Sequence, residues 1–324
     1  MADKPKIALY WCSSCGGCEE SVIDLSEDLL ALSRRVDIVF WPVALDSRRK
    51  DLEVFRDGEI DLSLINGAIR LHDQAEMARL LRRKSKVVFA HGTCAHLGGI
   101  VGLGNFHSVQ ALLTRSFVEV PTVKNPDGIL PGGPGEGSGK EPKLSGFFDK
   151  VMTLDQVIDV DAYVPGCPPP PELVGEAIGA VLEGRLQERG FVFGDRKALC
   201  YTCPRRDSYP ERIGVKKFKR VHETEWDSKK CFLPQGVICL GPATRGGCGS
   251  RCIQANMPCR GCFGPLDNME DHGAAMLSFL ASMIDADREN EIRRITDSIP
   301  DPGGLFYRYS APRSILGAGK RTET

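Results

Sequence analysis

The chain has 324 residues, 42% of them hydrophobic, and 42 basic against 43 acidic side chains leave a formal net charge of −1. That length supports two domains with real cores, and so even a charge balance excludes bulk attraction to nucleic acid or to an anionic membrane. No stretch reaches the roughly 18 uninterrupted apolar residues of a membrane span, and MADKPKIALYW runs directly into a strand-like segment with no secretory or twin-arginine pattern, so a cytoplasmic protein is expected.

Residues 6 to 11 (KIALYW) read as a buried strand, and 18 to 32 as an amphipathic helix with Val22, Ile23, Leu29 and Leu30 on its apolar face. Strands follow at 36 to 41 (VDIVFW) and 60 to 66 (IDLSLIN). A helical pattern at 73 to 84 precedes the strand KVVFAH at 86 to 91. The strand DAYVPG at 161 to 166 leads into a helix from about 171 to 188. Alternating strands and helices imply right-handed crossovers and an α/β, doubly wound parallel sheet. Residues 125 to 146 are crowded with Gly and Pro and read as an exposed excursion, a surface loop in preference to the alternative of a docking arm for a partner subunit. From Asp195 onward strands become hard to find and cysteines dense, which sets two domains, 1–195 and 196–324. The second is expected to need metal to fold, because a loop-rich segment has little apolar core of its own.

Thirteen cysteines in a reducing compartment point to metal rather than to disulfides. A 4Fe-4S cluster takes four thiolates. Cys15 and Cys18 (CGGC) follow the first strand, Cys94 (HGTCAH) follows the strand ending near His91, and Cys167 (PGCPPP) follows the strand ending near Val164. Carboxyl ends of parallel strands are where α/β sheets bind cofactors, so these four converge on one place. Glycines at 16, 17, 92 and 166 allow close backbone approach. The competing readings are a redox dithiol at CGGC and ordinary buried thiols at Cys94 and Cys167. Cys12, on the same loop, is assigned a packing role. In the second half Cys200 and Cys203 form one CxxC, Cys259 and Cys262 another, with Cys248 and Cys252 three residues apart and Cys231 and Cys239 between. Eight thiolates make two clusters, which the spacing and the surrounding Gly and Pro favour, with two four-cysteine zinc sites as the rival left open. The six histidines show no metal-ligand spacing, although His91 and His96 flank Cys94. The glycines of GGIVGLG at 98 to 104 are weak as a nucleotide loop, because they follow Cys94.

WCSSCGGCEES, GTCAHLGG, YVPGCPPPPE and CLGPATRGGCGSRCIQANMPCRGCFGP together resemble the small subunit of nickel-iron hydrogenases, over Ile7 to about Leu280. The likeness is strongest to cytoplasmic members of the methyl-viologen-reducing type, which feed heterodisulfide reductase. The resemblance implies a flavodoxin-like domain followed by a cluster domain, with no catalytic residue in this chain. It implies three 4Fe-4S clusters: a proximal one on Cys15, Cys18, Cys94 and Cys167, a medial one on Cys248, Cys252, Cys259 and Cys262, and a distal one on Cys200, Cys203, Cys231 and Cys239. Better-known periplasmic members have histidine at the place of Cys200 and proline at that of Cys252, which leaves their medial centre as 3Fe-4S. Thiolates at both places imply three complete cubes, the distal and medial ones of lower potential. Glu20 resembles a family glutamate and receives no catalytic role.

Implied partners are the large subunit that splits hydrogen, a 2Fe-2S electron-transfer subunit, and a heterodisulfide-reductase-like flavoprotein complex. Arg205, Arg206, Lys216, Lys217, Lys219, Arg220, Lys229 and Lys230 offset anionic clusters or dock a partner, unless they are merely solvated. Rival readings are the matching subunit of a deazaflavin-reducing hydrogenase or a sulfhydrogenase, the related subunit of respiratory complex I, whose single cluster leaves eight cysteines over, and a zinc-stabilised binding module.

Overall fold

The computed structural model describes residues 4–131 and 144–317. Among these, eight strands are present: β1 (Lys6–Trp11), β2 (Asp37–Phe40), β3 (Ile60–Asn66), β4 (Ile69–Leu71), β5 (Ser85–His91), β6 (Phe147–Met152), β7 (Ala162–Val164) and β8 (Phe191–Val192). Six form one sheet in the order β2-β1-β3-β5-β7-β8, with every pairing parallel. Counted along this sheet, the order is flavodoxin-like, with one further strand at the edge. β4 and β6 pair antiparallel beside it.

Buried on both faces, the central strands are apolar throughout, as a covered parallel sheet requires. Alternation sends successive side chains to opposite cores: Ile7, Leu9, Leu62, Leu64 and Phe89 lie on one face, and Ala8, Ile65, Val88 and Ala90 on the other. The first face is covered by α1 (Gly17–Ile23), α2 (Glu27–Arg35) and, further along the chain, Pro171–Leu182; the second by α3 (Arg49–Glu53) and α4 (His72–Lys84). Arg82, Arg83 and Lys84 close α4 and complement its carbonyl end. At the head of the sheet, α5 (Thr93–Leu97) follows β5 and α6 (Val109–Thr114) follows a 3-10 turn.

Two expected helices are shorter than their patterns. The one placed at 18 to 32 is two helices, broken where Ser26 takes a φ of 55°. The kink turns Leu25, Leu29 and Leu32 onto the sheet and leaves Ile23 and Leu30 exposed. The helix placed at 171 to 188 is α7 (Pro171–Leu182), and Gly184 just beyond it has a φ of 64°, a left-handed conformation that costs glycine least. The segment expected as an excursion at 125 to 146 lies largely outside the described residues, and its described ends contain no helix or strand.

Past Val192 the described residues contain no strand, only isolated bridges such as Val215 with Ile284. The expectation that this part lacks an apolar core is corrected. Phe218, Phe232, Leu233, Met276, Leu280, Ile295 and Phe306 are all buried together. They come from short 3-10 turns, from loops and from the helices that follow α7, which are α8 (Arg251–Gln254), α9 (His272–Ala281), α10 (Glu289–Asp297) and α11 (Pro302–Phe306). Cys239 and Cys259 are members of that core, and Cys203, Cys231 and Cys248 pack against it. Phe263 crosses to the sheet's own core, so the two parts share packing.

Candidate metal centres

Hydrogen bonding carries the chain past the end of β1, where the Cys12 amide donates to Asn66 O at 2.8 Å. The chain then turns at Gly16, whose φ is 88°, and enters α1 with Cys18 in its first turn. Cys94 sits likewise in the first turn of α5. Cys167 follows β7 after Pro165 and Gly166, and the Gly166 amide donates to Thr93 Oγ1 at 3.2 Å, which ties this loop to the start of α5.

Burial raises the thiol pKa of Cys18, Cys94 (to about 12) and Cys167, and their neighbours add to it. Cys18 is opposed by Cys94, Cys167 and Cys15, Cys94 by Cys167 and Cys15, and Cys167 by Cys15. Every pair in this tetrad is therefore within electrostatic reach. The approach is close enough that a Cβ on Gly92 would collide with Cys18 Sγ, and one on Gly99 with Cys94 Sγ.

Cys200, Cys203, Cys231 and Cys239 form a second tetrad with the same completeness. Burial raises Cys200 to about 12, Cys239 to about 11 and Cys231 in the same direction, and among them these three thiols oppose one another and Cys203. Cys200, Cys203 and Cys231 line a cleft of about 460 Å³ with Tyr201, Tyr209 and Arg206. Arg205, one of the basic residues near this loop, is 5% exposed and so is not part of a solvated face. Its guanidinium lies 4.0 Å from the centre of the Phe232 ring and donates to Lys230 O at 3.1 Å and Asn256 Oδ1 at 2.6 Å, which clamps the loop.

Cys248, Cys252, Cys259 and Cys262 line one cavity of about 250 Å³, together with Cys167 and Arg260. Burial raises Cys262 to about 12, with Cys248, Cys252 and Cys167 adding to it. Burial also raises Cys259, which feels Cys239 and Cys262. This group touches both others. Cys167 lines the same cavity as Cys262 and acts on its charge, and the Cys259 amide donates to Cys239 Sγ at 3.3 Å. The three groups thus stand in a row, with this one in the middle. Among the described residues no three His, Cys, Asp or Glu side chains form a site for a single metal ion.

Several supporting residues have no signal in the sequence. Thr93 Oγ1 donates to Cys262 O. Trp41 Nε1 and Asn66 Nδ2 both donate to the buried Glu19 carboxylate, while Glu20 is exposed. Cys12 is buried, with its thiol pushed up by desolvation, and stands outside the tetrads. His91 Nε2 lies 2.9 Å from Cys18 O, and the centre of the His96 ring lies 4.5 Å from that of Tyr163, so both are core residues. No described helix is long and apolar enough to cross a membrane.

The family model described as NADH ubiquinone oxidoreductase, 20 Kd subunit, matches residues 15–181. The chain is 38% identical over 314 residues to the iron-sulfur subunit of the F420-non-reducing hydrogenase of Archaeoglobus profundus, covering 96% of this chain and 97% of that one. It is 35% identical over 319 residues to the corresponding F420-non-reducing hydrogenase chain of Methanothermobacter marburgensis, covering 98% and 97%. The NiFeSe hydrogenase of Desulfovibrio vulgaris Hildenborough has the same fold, with a TM-score of 0.52 at 18% identity over 83% of this chain and 96% of that one. Fold and matched domain define a subunit of an oxidoreductase complex. Within that class the chain belongs to the small subunits of nickel-iron hydrogenases, which carry iron-sulfur clusters and pair with a large subunit.

Proposed function

We propose that the chain relays electrons through three 4Fe-4S clusters, held by Cys15, Cys18, Cys94 and Cys167, by Cys248, Cys252, Cys259 and Cys262, and by Cys200, Cys203, Cys231 and Cys239. The observation that carries this reading is the row of three thiol groups, whose middle member shares a cavity with Cys167 at one end and hydrogen-bonds to Cys239 at the other. The four thiols around the cavity of the middle group suit a cube with one external ligand per iron, and the mutual neighbourhoods of the other two tetrads fit the same group. Bound there, the clusters supply one-electron transfer. The protein's own part is to hold the thiols, exclude water by burial and aim backbone N–H groups at sulfur. The domains proposed are 1–195 around the first tetrad and 196–324 around the other two.

Electrons enter from hydrogen oxidation in the separate large subunit and leave beside Cys200, Cys203 and Cys231, where the cleft is lined by Tyr201, Tyr209 and Arg206. A 2Fe-2S subunit leading to a heterodisulfide-reductase-like flavoprotein in the cytoplasm is the acceptor proposed. Anaerobic copurification with metal analysis tests the whole: about twelve irons per chain, and nickel from the partner, are expected. A colourless protein, or one holding zinc, would refute it. Cys252→Pro is expected to give an oxidised 3Fe signal by electron paramagnetic resonance, and an unchanged spectrum removes Cys252 from the ligands.

A further inference from the structure

Arg260 lies between Cys259 and Cys262, half-buried, and lines the cavity of the middle tetrad. Its other side opens on a separate cleft of about 230 Å³ with Lys219, Arg220, His222 and Arg308. Its charge is within reach of Cys239 in the last tetrad and of Cys252 in the middle one. Arg308 is close enough to repel it. Among the described residues neither arginine has a carboxylate within 4.0 Å, and Arg308 donates to Gly304 O at 3.1 Å.

Asp301 lines the same cleft, but its carboxylate accepts from the Gly304 amide and stands more than 4.0 Å from both arginines. Two half-buried like charges so placed are unfavourable unless something else supplies negative charge. Thiolates do so on one side. A fixed positive charge beside a thiolate-bound centre favours its more negative, reduced form, and it acts most strongly where water is scarce. We propose that Arg260 is a positioning residue for electron transfer, whose charge holds the middle and last centres at higher potential than their four-thiolate ligation alone would give. This rests on the ligand reading proposed for the three tetrads. Of the first tetrad only Cys167 lines the cavity of Arg260, and the thiols that act on its charge are Cys239 and Cys252, of the last and middle tetrads.

The experiment is an anaerobic redox titration of the intact complex, following each cluster by electron paramagnetic resonance, in Arg260→Gln and Arg260→Lys. Arg260→Gln is expected to move two of three midpoint potentials to more negative values and leave the third in place, with iron content unchanged. Arg260→Lys, which keeps the charge, is expected to restore both. Unmoved potentials at full iron content overturn the proposal, as does a lysine variant that shifts as far as glutamine. Absence of iron from the unaltered protein would instead overturn the ligand reading, so the two failures are distinguishable. If Arg260→Gln loses iron, Arg308→Gln removes the neighbouring charge from outside the cysteine loop: a smaller shift of the same sign supports the proposal, and none opposes it.

Discussion

The two parts of the molecule are held together by different means. In the sheet part, Leu64, Ile65, Val88 and Phe89 are almost wholly buried, and backbone polar groups are satisfied along parallel ladders. Its thiols Cys15, Cys18, Cys94 and Cys167 stand past the strand ends, at the rim. In the second part the ladders are gone, and Cys239 and Cys259 sit inside the apolar core itself. Buried thiols facing one another there gain little from packing alone, whereas a metal cluster, on the ligand reading proposed above, would tie the loops that carry them. On that reading the difference teaches that the same residue type stands at the edge of a finished scaffold in one place and inside the core of the scaffold in the other.

The largest effect that would break this comparison is metal removal. Anaerobic chelation is expected to speed amide exchange by at least about ten-fold in residues 198–311, while β1, β3 and β5 keep their protection. Equal loss in both parts would contradict it. Next in size, Phe89→Ala empties a site between the sheet and Phe193, whose ring centre lies 5.7 Å away. A cost of about 3–5 kcal/mol in chemical denaturation is expected, with the iron content of the folded fraction unchanged. Loss of iron in step with stability would show that the sheet also depends on metal.

The apolar runs of β1, β3 and β5 are legible in the sequence because a covered parallel strand has few other readings, and the cysteines at their ends follow from that. The break at Ser26 is not, because Ile23 and Leu30 continue the helical period although the chain turns away. β4 and β6 give no such signal, since they pair across a long separation and carry an irregular register. The second core is hidden for a different reason: Val215, Phe232, Met276 and Phe306 come from separate loops and helices and share no period. Spacing alone leaves the last eight cysteines undivided. Their grouping comes from family resemblance, and the thiol neighbourhoods support it without testing ligation.

The smallest effect expected concerns the seam between the parts. Thr93 Oγ1 donates to Cys262 O and accepts from the Gly166 amide, so one hydroxyl joins the loop before Cys167 to the loop that ends the middle tetrad. Thr93→Val keeps the shape and removes both bonds, leaving a buried carbonyl and amide unpaired at about 1–3 kcal/mol. Thr93→Ser keeps the hydroxyl and is expected to recover most of that. Amide exchange should quicken in the valine variant on both sides of the seam, near residues 164–168 and 259–264. Exchange that quickens on one side only would mean that the two parts are packed against each other without being mechanically joined.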